Sequence, residues 1–291
     1  MDSLPYYLQT VVNGILAGCI YALFAMGLTL IYGVLNFVNF AHGELIMWGA
    51  YFLFLAMAEP IALPLWAAVP LALGMTALLG MAMDFALFKP LRRANRLTLL
   101  IAAIGLSFFL RNAAQLFFGA QVRTYGFEIQ QGYRWLGVSL TPQQLAIIVI
   151  SLICIGGVYL LFFKSRMGKS MRALADNLDL ARISGIHTRK VILSAWIISS
   201  LLAGVGGILL ALDTNLNPEM GVVNLIKAFA ATLIGGVGNL WGALIGGLII
   251  GLAENIAVLY ISPGYKDAVA FIIMVIILLA RPYVVAGKRT D

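Results

Sequence analysis

Charge is what this chain has least of. Only 11% of its 291 residues are Asp, Glu, Lys or Arg, 62% are apolar, and the mean hydropathy is +0.98. Soluble domains carry about 25% charge, so a water-facing surface cannot be built here. Alternating dyads in ~10-residue segments are missing as well, which removes a membrane β-barrel. Two cysteines, Cys19 and Cys154, stand alone inside apolar runs, which excludes a disulfide framework and a cysteine metal cluster. A basic n-region is lacking in the opening MDSLPYYLQT, so a cleaved signal peptide is not expected. The net charge of +7 would suggest nucleic acid in a soluble protein. In a membrane protein it is the ordinary signature of basic loops on the cytoplasmic side, and no nucleic acid is expected as a partner.

What remains is apolar sequence in runs long enough to cross ~30 Å of hydrocarbon, about 20 residues each. Val11–Leu35, Ile61–Phe88, Leu97–Phe118, Gln144–Phe163, Val191–Leu212, Leu240–Ile261 and Ala268–Val285 are such runs. Leu45–Ala58 and Val222–Leu233 are too short to span comfortably. The expected fold class is all-α, a polytopic transmembrane bundle of about eight crossings with two broken segments, in a single domain over residues 1–291. Lys89–Arg96 holds four cations and no acid, Lys164–Lys190 seven cations and two acids, and Arg281–Asp291 three cations and one acid. Glu59–Pro64 and Asp213–Gly221 hold acids only. The first group is therefore expected in the cytoplasm and the second outside, with Ala228–Tyr260 leaving and returning as a hairpin near GGVGN. A faint internal echo links NFAHGELIMWGAY to GGVGNLWGALIGGLIIG; broken helices meeting near the midplane are common in transporters.

Polar residues are rare enough to be read individually. Asn36, Asn39, His42 and Glu44 fall within nine residues at membrane depth, where an unsatisfied polar group is costly. They mark either pathway lining or a satisfied structural break. His42-x-Glu44 lacks the P-C-x-x-C partner of a zinc deaminase, so no metal is expected. Glu254 and Asn255 are further pathway candidates or interfacial residues, and snorkelling accounts for Lys227. Gly168–Ser170 reads GKS, but Phe163 occupies the position where a phosphate loop needs its first glycine. Four-residue spacing puts Gly238, Gly242 and Gly246 on one helical face, Gly247 and Gly251 likewise, and Gly14 with Gly18 in the first span; close helix packing is expected there.

One stretch is neither apolar nor simply basic. SMRALADNLDLARISGIHTRKV (Ser170–Val191) offers Asn177 as N-cap of a short helix through Ser184, Asp179 in its first turn and Gly185 as the left-handed C′ residue. Ile186 supplies the contact after the cap. Leu178 and Ala181, with Leu174, form an apolar stripe, and Asp176, Asp179 and Arg182 surround it. A helix lying on the membrane would be basic on its polar face; the mixed signs suit docking into a protein groove.

LTLIYGVLNFVNFAHGELIMWGAY, SRMGKSMRALADNLDLARISGI and LIGGVGNLWGALIGGLIIGLAEN resemble the branched-chain amino-acid permease family of ABC importers, in particular the shorter of its two membrane subunits. The resemblance runs from about Leu8 to Pro282. It implies a homologous second permease subunit, two cytoplasmic ATPase subunits that hold the ATP and Mg, an extracytoplasmic substrate-binding protein and an amino-acid substrate. No cofactor and no catalytic residue is implied in this chain. A bacterial inner-membrane location follows. Ala175, Asp176, Asn177, Asp179, Arg182, Gly185 and Ile186 would form the ATPase-coupling loop, within residues 164–190. The departure is Ala173-Leu174-Ala175 before Asp176, where the general importer pattern begins Glu-Ala-Ala. Urea or short amides are alternative substrates within the family. An ion-coupled secondary transporter would want several ionisable groups in mid-span, and Glu44, Glu254 and Arg111 are few. A membrane enzyme would want a nucleophile–base set.

Overall fold

The computed structural model describes residues 3–92, 94–127, 131–135 and 137–280. The expected cytoplasmic carboxyl terminus, Arg281–Asp291, lies outside them, as does Arg93. Among the described residues the chain forms eleven helices. They are α1 (Ser3–Leu35), α2 (His42–Met57), α3 (Leu65–Leu91), α4 (Arg96–Phe118), α5 (Pro142–Lys164), α6 (Arg166–Asp176), α7 (Leu178–Ile183), α8 (Thr188–Asp213), α9 (Met220–Gly235), α10 (Leu240–Ala257) and α11 (Lys266–Ala280). Seven helices are long and apolar enough to cross a membrane, with α11 counted from Pro263; α2 and α9 are the shorter apolar ones. Those two fall on the segments that the sequence marks as broken. A small antiparallel hairpin, β1 (Tyr133–Trp135) and β2 (Val138–Leu140), punctuates the polar loop after α4.

α1 is the axis of the bundle and is buried over most of its length, with α8 next, whereas α5 and the last span keep most of their surface exposed. Small residues explain how a 33-residue helix can be surrounded so closely. A Cβ at Gly18 would meet Leu248 Cα at 2.8 Å, one at Gly14 would meet Leu252 Cα at 3.0 Å, and one at Gly251 would meet the Gly14 carbonyl oxygen at 2.6 Å. Gly14 and Gly18 of α1 thus lie against Gly247 and Gly251 of α10, backbone to backbone. Lipid offers no hydrophobic drive between helices, so contact this close is where packing energy is gained. Gly242 and Gly246 sit on a second face of α10, against the carbonyls of Gly235 and Ala231 in α9. Gly238 does not share that face. Its φ is +87°, a Cβ there would meet nothing within 4 Å, and with Gly236 (φ +84°) it shapes the turn between α9 and α10.

The ends of α8 sort the loops. Thr188 and Arg189 at its start line a cavity of about 740 Å³ with Leu35, Lys89, Arg92 and Arg182. Its end at Asp213 leads into a second cavity of about 540 Å³ shared by Gln115, Val122, Thr214, Glu219 and Lys266. At 1.5 Å per residue the two lie about 39 Å apart, so the basic segments and the acid-bearing loop occupy opposite ends of the bundle. The amino terminus belongs to the second end, since Gln9 hydrogen-bonds Ser139 of the hairpin in both directions.

Candidate functional site

At the basic end, α6 and α7 form the polar excursion. Asn177 has φ −158° and ψ 111°, and its Oδ1 accepts the backbone N–H groups of Asp179 (3.0 Å) and Leu180 (2.9 Å). The helix closes at Ile183. Gly185 then takes φ +81°, and the N–H of Ile186 donates back to the Ala181 carbonyl at 3.1 Å. That is a Schellman closure, and an L-side chain with a branched Cβ would resist it. Arg182 approaches Asp179 at 3.8 Å in an exposed pair. Ala175 and Asp176 end α6, exposed to solvent.

The apolar residues divide between two faces. Leu174 and Ala181 are buried and Leu178 half-buried, so this stripe anchors the segment to its own bundle rather than offering a docking face. The residues that face outward are Leu180 at 63% and Ile183 at 84% exposure. They are the two large aliphatic side chains that this doubly capped helix holds out into water.

The broken segment begins at this end and climbs back into the bundle. Asn36 is exposed, with φ +55°, and its N–H bonds the Tyr32 carbonyl at 2.7 Å; it ends α1 as a left-handed cap. Asn39 is fully buried, and its Oδ1 accepts the Ala41 N–H at 3.1 Å. His42 lies level with the middle of α1, its Nε2 3.3 Å from the Phe24 carbonyl and its Nδ1 3.4 Å from Ser199 Oγ. Ser199 in turn donates to the Gly27 carbonyl at 2.8 Å. His42 therefore ties α2 to α1 and α8. Glu44 is wholly buried and accepts from Ser107 Oγ at 2.7 Å and from Arg111 at 3.2 Å, pairing α2 with α4. A carboxyl group at this depth is tolerated because it is hydrogen-bonded and faces a guanidinium.

Glu254 is the centre of a second buried cluster. Tyr21 Oη donates to Glu254 Oε2 at 2.8 Å and accepts from Lys227 Nζ at 3.0 Å; Lys227 also reaches Glu254 at 3.1 Å and Asp267 at 2.7 Å. Lys227 is buried, so it does not snorkel to an interface as its position near a span end suggested: two carboxylates and a phenol hold its ammonium inside the bundle. Asn255 bonds the Gly251 carbonyl at 2.8 Å and receives Lys266 Nζ at 3.2 Å. Tyr21, Lys227, Lys266 and Asp267 line the 540 Å³ cavity at the end opposite α7. Sequence reading missed Tyr21, Lys266 and Asp267 altogether. Among the described residues no group of three His, Cys, Asp or Glu is placed to hold a metal ion.

The comparisons with known proteins fit this arrangement. A family model described as branched-chain amino acid transport system / permease component matches residues 10–278. The high-affinity branched-chain amino acid transport system permease protein BraD of Pseudomonas aeruginosa is 34% identical, over 99% of this chain and 98% of its own. LivH of Escherichia coli K12, a permease protein of the same description, is 34% identical over 99% and 97%. The chain belongs to the branched-chain amino acid permease family. Its fold extends further than its sequence: a metal-chelate-type ABC transporter in an inward-facing conformation superposes with a TM-score of 0.53 at 14% identity, over 96% of this chain and 85% of the other. In this chain the polar excursion and the polar cavity sit at opposite ends of one helical bundle.

Proposed function

We propose that this chain is the membrane permease subunit of an ATP-binding-cassette importer that carries branched-chain or other neutral hydrophobic amino acids inward by alternating access. The observation that carries the reading is α7. It is a short helix fixed at both ends by Asn177 and Gly185, anchored through Ala181 and presenting Leu180 and Ile183 to solvent. Such a lever has no use in an ion-driven carrier; it suits transmission of force from a separate motor protein. In this reading the basic end lies in the cytoplasm, where two ATPase subunits hold ATP and Mg and perform the hydrolysis. A homologous second permease subunit completes the membrane part, and an extracytoplasmic binding protein delivers substrate to the opposite end. Residues 1–291 act as one permease domain in the inner membrane of a bacterium.

The test is reconstitution. The permease with its partner subunits is placed in proteoliposomes, and ATP-dependent uptake of labelled leucine, isoleucine and valine is measured in the presence of the binding protein. Saturable uptake that stops without ATP is expected. Uptake that follows an ion gradient and ignores ATP would refute the reading, as would selectivity for urea or short amides over amino acids.

A further inference from the structure

The cavity of about 540 Å³ at the end opposite α7 has a size that suits a small ligand. Its wall combines a short apolar stretch (Leu210, Met220 and Val223) with charge of both signs. Lys227 and Asp267 meet at 2.7 Å and both line it, with Lys266 beside them. The two partners are unequally held. Lys227 is buried and keeps Tyr21 and Glu254 as further partners, while the Asp267 side chain is 62% exposed and has Lys227 as its ion-pair partner. Behind them Glu254 Oε1 is buried without a hydrogen-bond donor, so the cluster holds more acceptor capacity than its cations fill.

We infer that this cavity is a receiving site for a zwitterionic α-amino acid, which inserts itself into the Lys227–Asp267 ion pair. Asp267 turns outward to accept the ligand's ammonium group, and Lys227 and Lys266 take its carboxylate. Lys227 and Asp267 each then have an oppositely charged partner before and after, Lys227 remains compensated by Glu254 throughout, and Lys266, which otherwise holds the Asn255 amide oxygen, gains one. A ligand with one charge leaves either Asp267 or the lysine pair unmatched, and a neutral amide or urea leaves both unmatched. Opening a pair against an incomplete replacement costs the site its electrostatic balance. The apolar side chain of the ligand lies against Leu210, Met220 and Val223. The inference rests on the amino-acid import proposed above and assigns that import a binding step within the permease itself.

The experiment uses the complete transporter in nanodiscs, without the binding protein, and three probes of similar shape. L-leucine carries both charges, 4-methylpentanoate lacks the ammonium, and 3-methylbutylamine lacks the carboxylate. Binding is followed by saturation-transfer NMR at millimolar concentrations. Leucine should bind saturably and each analogue at least tenfold more weakly. Asp267→Asn, at an exposed side chain that tolerates the change, should bring leucine down to the level of the analogues. Lys266→Gln should weaken leucine and 4-methylpentanoate while leaving 3-methylbutylamine unchanged. Equal binding of the three probes, unaltered leucine binding in Asp267→Asn, or no leucine binding by a transporter that imports leucine would each overturn the inference. Failure of the wild-type transporter to import any neutral amino acid, with its binding protein present, would instead overturn the proposed function, so the two failures are distinguishable.

Discussion

Removing the two exposed side chains of α7 isolates the docking step, because neither helps to hold the permease together. Leu180 and Ile183 are 63% and 84% exposed, and alanine is the best helix former, so Leu180→Ala with Ile183→Ala leaves the bundle and the caps intact. Each truncation deletes three carbons, worth about 0.8 kcal/mol apiece when buried. Scaled by the exposed fractions, a partner that covers both side chains fully gains roughly 3.5 kcal/mol from the deleted atoms. Interfaces return less than their area suggests, so about 2–3.5 kcal/mol is the working range, roughly 30–300-fold in affinity at 1.4 kcal/mol per decade. Fluorescently labelled ATPase subunits are titrated onto the permease in nanodiscs, and hydrolysis stimulated by the loaded binding protein is measured on the same samples. Affinity should fall by that factor, and stimulated hydrolysis should fall with it at limiting ATPase concentration. Gly185→Val is the companion variant. It forces a branched side chain to φ +81° at a cost of about 1–2 kcal/mol, and should impair coupling while leaving Leu180 and Ile183 in place. Binding within twofold of wild type in the double alanine variant would show that α7 is not the docking element.

Three further outcomes follow from the packing and the buried charges. Gly251→Leu and Gly246→Leu place bulk against the backbones of α1 and α9, and should reduce assembled permease in size-exclusion profiles before any effect on binding appears; wild-type yield in both would refute the packing role. Lys227→Met leaves Glu254 buried without its cation and should cost about 3–5 kcal/mol of stability, read as a lowered unfolding temperature in detergent and recovered largely by adding Glu254→Leu; no recovery would mean the cluster does not act as a unit. Single cysteines at Asn95 and Asn177 should resist an impermeant thiol reagent applied outside sealed cells, whereas one at Asn217 should react; labelling at Asn177 would invert the orientation.

How far the sequence reached depended on whether a signal was local. The caps of α7 are local: an N-cap residue, two backbone donors next to it and a glycine eight residues on carry the whole geometry, and Asn177 and Gly185 sit where that logic puts them. The direction of the helix was not local. Six residues with Leu178, Leu180, Ala181 and Ile183 among them are apolar on both sides, and which side is buried depends on the bundle against which α7 lies. The stripe Leu178–Ala181 therefore read as a docking face although it is the anchor. Asn36 is again a local case. An asparagine directly after an apolar helix is a known left-handed cap, and of the two readings open for this segment, pathway lining or structural break, the φ of +55° at Asn36 is the geometry of a break.

Buried charge shows the limit most clearly. A lone Lys227 near the end of an apolar run has two physically sound readings, escape to an interface or burial with a partner, and they differ by the position of residues far away in sequence. Its partners are Tyr21, Glu254 and Asp267, and the Tyr21–Glu254 bond joins positions 233 apart. No periodicity encodes such a meeting. It becomes possible because Gly14 and Gly18 let α10 lie flush on α1, which brings Glu254 to Tyr21, while Gly242 and Gly246 do the same for α9, which brings Lys227 to both. The glycine faces were legible as packing faces, but which helices they joined was not. The polar cluster is thus a consequence of the packing: once three backbones approach this closely, one ionisable side chain from each of two helices and a phenol from the third must share one buried corner at the edge of the 540 Å³ cavity. Burial there is tolerated because the ammonium, the carboxyl group and the phenol are hydrogen-bonded to one another.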